Sequence, residues 1–203
     1  MLAVYLRPTM ILRIVLSFCV LSLAACASPS PMVDGAVTDG PVHLAPGVSL
    51  RLPPPSALGQ GIEAVQMVAA SHGDDSFTFE GRLSVDGDVM ALVTTDGLGR
   101  RAMTIRWDGR HLAVERADWL PATVPPPANM LADVMLIYWP VQALRTGLEG
   151  ALLEQDDQSR RLVRDGVVLA TVQPGRAGWT GVAALVNQVW DYRIDIASQQ
   201  VAP

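Results

Sequence analysis

The residue whose type and setting most clearly imply chemistry is Cys26, which closes an apolar run that begins near Ile11. Leu23 and two alanines stand directly before this cysteine, which is the pattern of the bacterial lipobox. At such a site the leader is cleaved before the cysteine, the thiol receives diacylglycerol, and the new amino group receives a fatty acid such as palmitate. We therefore predict a lipoprotein signal peptide over residues 1–25 and lipid attachment at Cys26.

The rest of the leader has the layout of a signal peptide. Arg7 and Arg13 form a positive start, and residues 14–23 form an apolar stretch of about ten residues. A transmembrane helix needs roughly 20 apolar residues, and the polar stretch 27–30 follows at once. An uncleaved N-terminal anchor remains the alternative, and Met10 is a possible second start site.

Lipid attachment predicts where the protein sits. Stable anchoring needs more than one acyl chain, and a triacylated cysteine meets that condition. Position 27 is Ala and not Asp, which by resemblance to other bacterial lipoproteins favours export to the outer membrane. We expect the chain to face the periplasm, with surface display as the alternative.

Charge and cysteine content exclude several classes of function. Loss of residues 1–25 removes two arginines and no acid, so the formal charge changes from −5 to −7, and the chain contains no lysine. An acidic domain is a poor candidate for nucleic-acid binding, which depends on phosphate neutralisation. Cys19 leaves with the leader and Cys26 is acylated, so the mature domain is expected to contain no disulfide and no thiolate site.

The remaining polar residues do not form a catalytic or metal-binding pattern. His43, His72 and His111 are far apart in sequence, whereas zinc sites need several convergent ligands. The acidic pairs at 74–75 and 156–157 occur in turn-like contexts, where carboxylates stay solvated. No G-x-S-x-G elbow and no glycine-rich phosphate loop is present. We therefore predict a protein that is not an enzyme and uses no metal or cofactor.

The mature chain divides by composition into three parts. Residues 26–47 are rich in Ala, Ser, Pro and Gly without periodicity, which predicts a flexible tether. Residues 48–197 are predicted to form one folded domain of about 150 residues, and residues 198–203 a C-terminal tail.

The domain is predicted to be mainly β, with two short helices. In residues 76–85, Phe77, Phe79, Leu83 and Val85 alternate with polar residues, which is typical of a half-buried strand. Asp-Gly pairs, of which the first is Asp86-Gly87, predict tight hairpins. The predicted strands are 63–71, 76–85, 89–95, 101–107, 111–116, 152–155, 160–164, 167–173, 179–186 and 189–196, and the predicted helices are 128–139 and 141–148.

Consecutive hairpins imply one antiparallel sheet whose apolar face is covered by the helices. A sheet of nine or ten strands tends to curl, and a curled sheet under helices encloses either an apolar cavity or a packed core. Periodicity does not distinguish these two outcomes.

Several short motifs are distributed over residues 52–196. They are Leu52-Pro53-Pro54, the run from Gly99 through Asp108-Gly109, Trp119-Leu120-Pro121, Met130-Leu131-Ala132-Asp133, Tyr138-Trp139-Pro140, Arg160-Arg161-Leu162, and Asn187 with Tyr192-Arg193-Ile194. Together they resemble a family of small proteobacterial lipoproteins of unknown function that are often encoded beside aryl-polyene or fatty-acid-synthase-like gene clusters. The layout is also similar to the LolA/LolB superfamily of lipoprotein carriers and receptors.

This resemblance implies a curved antiparallel half-barrel lidded by helices, with a cavity for acyl chains. In LolB-type receptors an apolar residue protrudes from a loop and contacts the membrane. Leu98 occupies a corresponding position here, unless it folds back onto the core. The residues expected to line the cavity are Phe77, Phe79, Met103, Ile105, Met135 and Trp139.

Two functions follow as hypotheses. The first is an outer-membrane lipoprotein that binds a hydrophobic cargo, either an acyl lipid or a lipoprotein acyl chain. The second is a structural or assembly lipoprotein that has a filled core and docks envelope partners. In both cases the partner is the membrane through the lipid anchor, and we expect a monomer.

Overall fold

The computed structural model of the chain describes residues 40–175 and 179–201. The predicted signal peptide, Cys26 and most of the predicted tether lie outside these residues. Within the described ranges, no helix combines the length and the apolar character that crossing a membrane requires.

Thirteen strands are present in the described residues. The first seven are β1 Val42–Ala45, β2 Val48–Leu50, β3 Ile62–His72, β4 Asp75–Val85, β5 Met90–Thr95, β6 Arg101–Trp107 and β7 Leu112–Arg116. The last six are β8 Leu148–Glu149, β9 Leu152–Gln155, β10 Arg160–Arg164, β11 Val167–Gln173, β12 Gly181–Asn187 and β13 Tyr192–Gln200.

Ten of these strands form one antiparallel sheet in the order β7-β6-β5-β4-β3-β13-β12-β11-β10-β9. Each hairpin pairs neighbours in sequence, and the pairing of β3 with β13 joins the first block of strands to the last. The sheet is open, since β7 and β9 are its two edges. The predicted fold class, mainly β with a large antiparallel sheet and two helices, is confirmed.

The two helices lie between the strand blocks in sequence and cover one face of the sheet, here called the inner face. Helix α1 is Pro127–Tyr138 and helix α2 is Val141–Gly147. Each begins directly after a proline, Pro126 or Pro140, whose fixed φ suits a helix start. Eight of the twelve residues of α1 are buried, so this helix supplies most of the cover.

Local turn chemistry explains the hairpins. Asp165 and Gly166 both have positive φ, of 51° and 79°, and form the predicted two-residue turn between β10 and β11. The predicted two-residue turn at Asp86-Gly87 is wrong, because the turn contains four residues. There the Asp86 carboxylate accepts backbone N–H groups of Asp88 and Val89 at 3.0 and 2.8 Å, which holds the longer turn.

The predicted boundary between tether and domain is also wrong. The composition predicts that residues 42–47 belong to the tether, but β1 pairs with β2, and β2 pairs with β8 to form a second, three-stranded sheet. Val42 and Leu44 are only 5% and 3% exposed. Their burial depends on packing against α1 and the larger sheet, which local composition does not reveal.

The predicted C-terminal tail begins too early. Residues 198–200 continue β13 and pair with residues 64–66 of β3. Backbone hydrogen bonds of the sheet do not require apolar side chains, so the polar sequence Ser198-Gln199-Gln200 gave no local sign of this extension.

Candidate functional site

Four turns lie at one end of the sheet, because its strands are antiparallel. They connect β3 to β4, β5 to β6, β10 to β11, and β12 to β13. The β3–β4 hairpin extends beyond β5, whose pairing with β4 stops at Glu80 opposite Thr95. The first half of β4 therefore lacks a neighbouring strand on that side. We call this end of the inner face the open end.

Several apolar side chains at the open end are only partly buried. The strand register places Phe77 beside Ala70, and Ala70 beside Ile194. Two residues deeper, Phe79 lies beside Val68. Val68 is buried, but the other four are only partly buried. Ala70, Phe77, Phe79 and Ile194 are called the apolar patch below.

The six residues predicted to line a cavity divide into two groups. Phe77 and Phe79 belong to the apolar patch. Met103, Ile105, Met135 and Trp139 are at most 1% exposed. A side chain beside a void large enough for water would expose surface to that void. In this conformation these four residues are therefore part of a filled core and do not line a cavity.

Leu98 lies at the tip of the β5–β6 turn and is 82% exposed. It does not fold back onto the core. The Asp96 carboxylate accepts the backbone N–H groups of Leu98 and Arg100 at 3.0 and 2.9 Å, so the turn has a defined shape that presents Leu98 to the outside.

Trp119 lies next to this turn and forms part of its rim. The Arg100 guanidinium lies over the Trp119 ring, 4.4 Å from its centroid, and also pairs with Asp96 at 2.7 Å. Trp119 is 44% exposed. The open end thus presents an apolar tip with an aromatic residue beside it.

A buried acid lies at the outer edge of the apolar patch. Asp133 is on α1 and is 6% exposed, and its Oδ1 accepts a hydrogen bond of 2.7 Å from the Tyr192 hydroxyl. Burial raises the pKa of Asp133 to about 7, against the smaller opposing effect of the Tyr192 hydrogen bond. Tyr192 is the first residue of β13, two positions before Ile194, and lies opposite His72.

A second polar contact holds α1 on the sheet. The Tyr138 hydroxyl and the Ser198 hydroxyl are 2.6 Å apart, and the Gln66 amide donates to the Ser198 hydroxyl at 3.1 Å. The Tyr138 ring stacks on Trp179 with centroids 4.1 Å apart. Helix α1 is therefore fixed to the inner face by one polar contact at its middle and another at its last residue.

A polar groove of about 490 Å³ lies between α2 and the β9–β10 turn. Two arginines line it, but both are bound to backbone. Arg160 donates to the carbonyl groups of Leu136 and Trp139 at 2.8 Å each, and Arg145 donates to that of Leu153. Arg160 is thus a C-terminal cap of α1.

The three histidines are exposed and lie on different elements, at β1, at the end of β3 and beside the β6–β7 turn. Across residues 40–175 and 179–201, no group of three or more His, Cys, Asp and Glu side chains could hold a metal ion.

Sequence reasoning missed the pair of Asp133 and Tyr192. Its only local sign was an acid on a helix with many apolar residues and no basic residue within four positions. Tyr192 is 59 positions away in sequence, so the contact requires the fold.

These features define the class of the protein as an open antiparallel sheet with one face covered by two helices and a second small sheet. The chain belongs to the family described as "Protein of unknown function (DUF3261)", whose model matches residues 63–200. No curated protein matches the chain.

Among solved structures, the chain is similar to a LolA superfamily protein from Nitrosomonas europaea. The match has 9% sequence identity and a TM-score of 0.46, and it covers 73% of this chain and 91% of that chain. A likeness this distant carries no information about ligand or activity.

Proposed function

We propose that this chain is a lipid-anchored protein of the outer membrane, facing the periplasm, that binds a hydrophobic acyl-chain-like cargo at the open end of its sheet. The observation that carries the proposal is the apolar patch, where four neighbouring inward-facing side chains are only partly buried. An uncovered apolar surface of this kind is typical of a ligand or membrane contact. The proposal includes no catalytic step, metal or cofactor.

The apolar tip at Leu98 supports a membrane role for the same end. Leu98 is 82% exposed on a turn with a defined shape, and Trp119 lies on its rim. Apolar and aromatic side chains together favour the interface between lipid and water. In this proposal, cargo bound at the patch leaves or enters the protein where Leu98 contacts the bilayer.

Cargo binding is tested with a chain that starts at residue 26 and contains Cys26→Ser, which retains every described residue. We expect native mass spectrometry to detect co-purified acyl lipid and fluorescence titration to detect uptake of a labelled fatty acid. Phe77→Ser should weaken uptake about five- to ten-fold, as expected for loss of a partly buried aromatic surface. Met67→Ser is the matched control, since Met67 is 50% exposed on the outer face. Absence of both adduct and uptake in the parent chain rules out cargo binding.

The membrane contact is tested separately by transfer of the labelled fatty acid to vesicles of phosphatidylethanolamine and phosphatidylglycerol. Leu98→Glu should slow the transfer and leave uptake unchanged. Val182→Glu is the control, because Val182 is also exposed (63%) but lies on the outer face. Equal rates of transfer by Leu98→Glu and Val182→Glu would contradict the proposed contact of Leu98 with the membrane.

The anchor is tested on the full chain. Metabolic labelling with a palmitate analogue and membrane fractionation should place the labelled protein in the outer membrane, and Cys26→Ala should abolish the label. Labelling that persists in Cys26→Ala would contradict lipid attachment at this residue.

The filled core supports a second candidate function, a lipoprotein that docks envelope partners. The outer face has a matching feature, since the register aligns Val182, Ala197 and Met67 in one exposed apolar row across three strands. A parent chain that takes up no fatty acid would favour this alternative.

A further inference from the structure

Asp133 is unusual among the acids of this domain because it is buried on the side of α1 that faces the sheet. It forms no ion pair with any residue in the described part of the chain. The hydrogen bond that it receives comes from the Tyr192 hydroxyl. An acid in such a position is costly unless its polar atoms are satisfied.

The position of this pair relative to the apolar patch suggests a use. Tyr192 and Ile194 point to the same face of β13, two residues apart, and Ile194 belongs to the patch. Tyr192 is only partly buried, so the pair lies at the boundary between the patch and solvent. An amphipathic molecule whose chain covers the patch would place its polar end close to Asp133 and Tyr192.

We propose that Asp133 and Tyr192 bind the polar head group of the cargo, and that this head group is a hydrogen-bond donor, either a hydroxyl or an ammonium group. This inference rests on the proposed function and names the ligand class for the same site. A carboxylate only accepts hydrogen bonds, and a tyrosine hydroxyl that donates to it can still accept one. A carboxylate head group would instead meet a like charge in a poorly solvated place.

Other charged groups at this edge are few. His72 lies opposite Tyr192 on β3, and Asp75 lies opposite His72 on β4. Both are exposed. Near the patch, Asp133 is therefore the acid that is shielded from water. A binding site that contains this buried acid should reject an incorrect head group more strongly than a site with an exposed acid does.

The experiment compares three ligands with the same twelve-carbon chain: dodecylamine, dodecanol and laurate. The protein is the chain that starts at residue 26 and contains Cys26→Ser. The affinity of each ligand is measured at pH 8 from its displacement of the apolar dye N-phenyl-1-naphthylamine. We expect the amine and the alcohol to bind at least ten-fold more tightly than laurate. Asp133→Asn should reduce the preference for the amine over laurate to less than three-fold.

Asp157→Asn is the matched control. It removes the same charge from an exposed site and should leave the preference unchanged, which separates a local contact from the overall negative charge of the protein. Asp133→Ser is a second variant if the asparagine does not fold, and the three parent-chain affinities are decisive without any variant.

The outcomes separate the two proposals. If none of the three ligands displaces the dye, the proposed function fails. If all three bind with equal affinity and Phe77→Ser weakens them all, cargo binding stands and the head-group assignment is overturned. A preference that persists in Asp133→Asn also overturns it, and leaves the pair as a contact that only docks α1.

Discussion

Replacement of Asp133 by asparagine should change how the stability of this protein depends on pH. Burial raises the pKa of this carboxyl from 3.8 to about 7. The folded state therefore holds a proton that the unfolded state has released, between roughly pH 4 and pH 7. Over that window the free energy of unfolding must fall as pH rises, and above it the contribution of Asp133 is constant.

The size of the effect follows from the shift. Each pKa unit corresponds to about 1.4 kcal/mol, so a shift of this size implies a loss of about 4 kcal/mol between pH 4 and pH 8. In Asp133→Asn that loss should disappear, because the amide does not titrate. At pH 8 the variant should be more stable than the parent, by less than the full amount because asparagine also needs hydrogen-bond partners.

Urea unfolding followed by circular dichroism, at one-unit steps from pH 4 to pH 8, measures this directly. Acids with lowered pKa do not interfere in this window. For example, backbone N–H groups of His111 and Arg110 lower the pKa of Asp108 to about 2, so that its contribution is lost only on acidification below pH 4. Parallel pH profiles for parent and variant would refute the assignment of a buried, desolvated carboxyl to position 133.

The remaining predictions concern single side chains. Leu98→Glu should leave the free energy of unfolding within about 0.5 kcal/mol of the parent, because the side chain contacts little of the protein; a larger loss in urea unfolding would mean that it caps the core. Gly150→Ala should destabilise by more than about 1 kcal/mol, since Gly150 has φ of 80° and a Cβ there collides with the Gly47 carbonyl oxygen; an unchanged melting temperature would contradict this close contact. Arg160→Met should cost about 1–3 kcal/mol, because two carbonyl groups at the end of α1 lose their donor; a neutral result would show that water replaces the guanidinium.

The strands could be predicted because their signal is local. Alternation in residues 76–85 and the Asp-Gly turns depend on neighbouring residues, and β4 and the turn at Asp165-Gly166 agree with them. Strand β1 could not be predicted in this way. Its residues are buried only because α1 and the large sheet pack on them, which involves residues far away in sequence.

The candidate site was predictable in part. Phe77 and Ile105 have the same alternating pattern, but Phe77 is only partly buried and Ile105 is fully buried. The difference arises because β4 extends beyond β5 at one end, and the register of two strands is not readable from either strand alone. The sequence pattern predicts that Asp133 lies on a helix, but its contact with Tyr192 depends on the position of β13, which is far away in sequence.

The packing of the core limits how cargo can bind. A ligand that enters the interior must displace α1, which breaks the contact of Asp133 with Tyr192 and that of Tyr138 with Ser198. A ligand confined to the apolar patch leaves both contacts intact. The two binding modes therefore depend on different residues. Binding at the apolar patch depends on Phe77 but not on Ile105, whereas binding in the interior depends on both. Because the interior is already filled, we infer that the patch is the first point of contact for any apolar ligand.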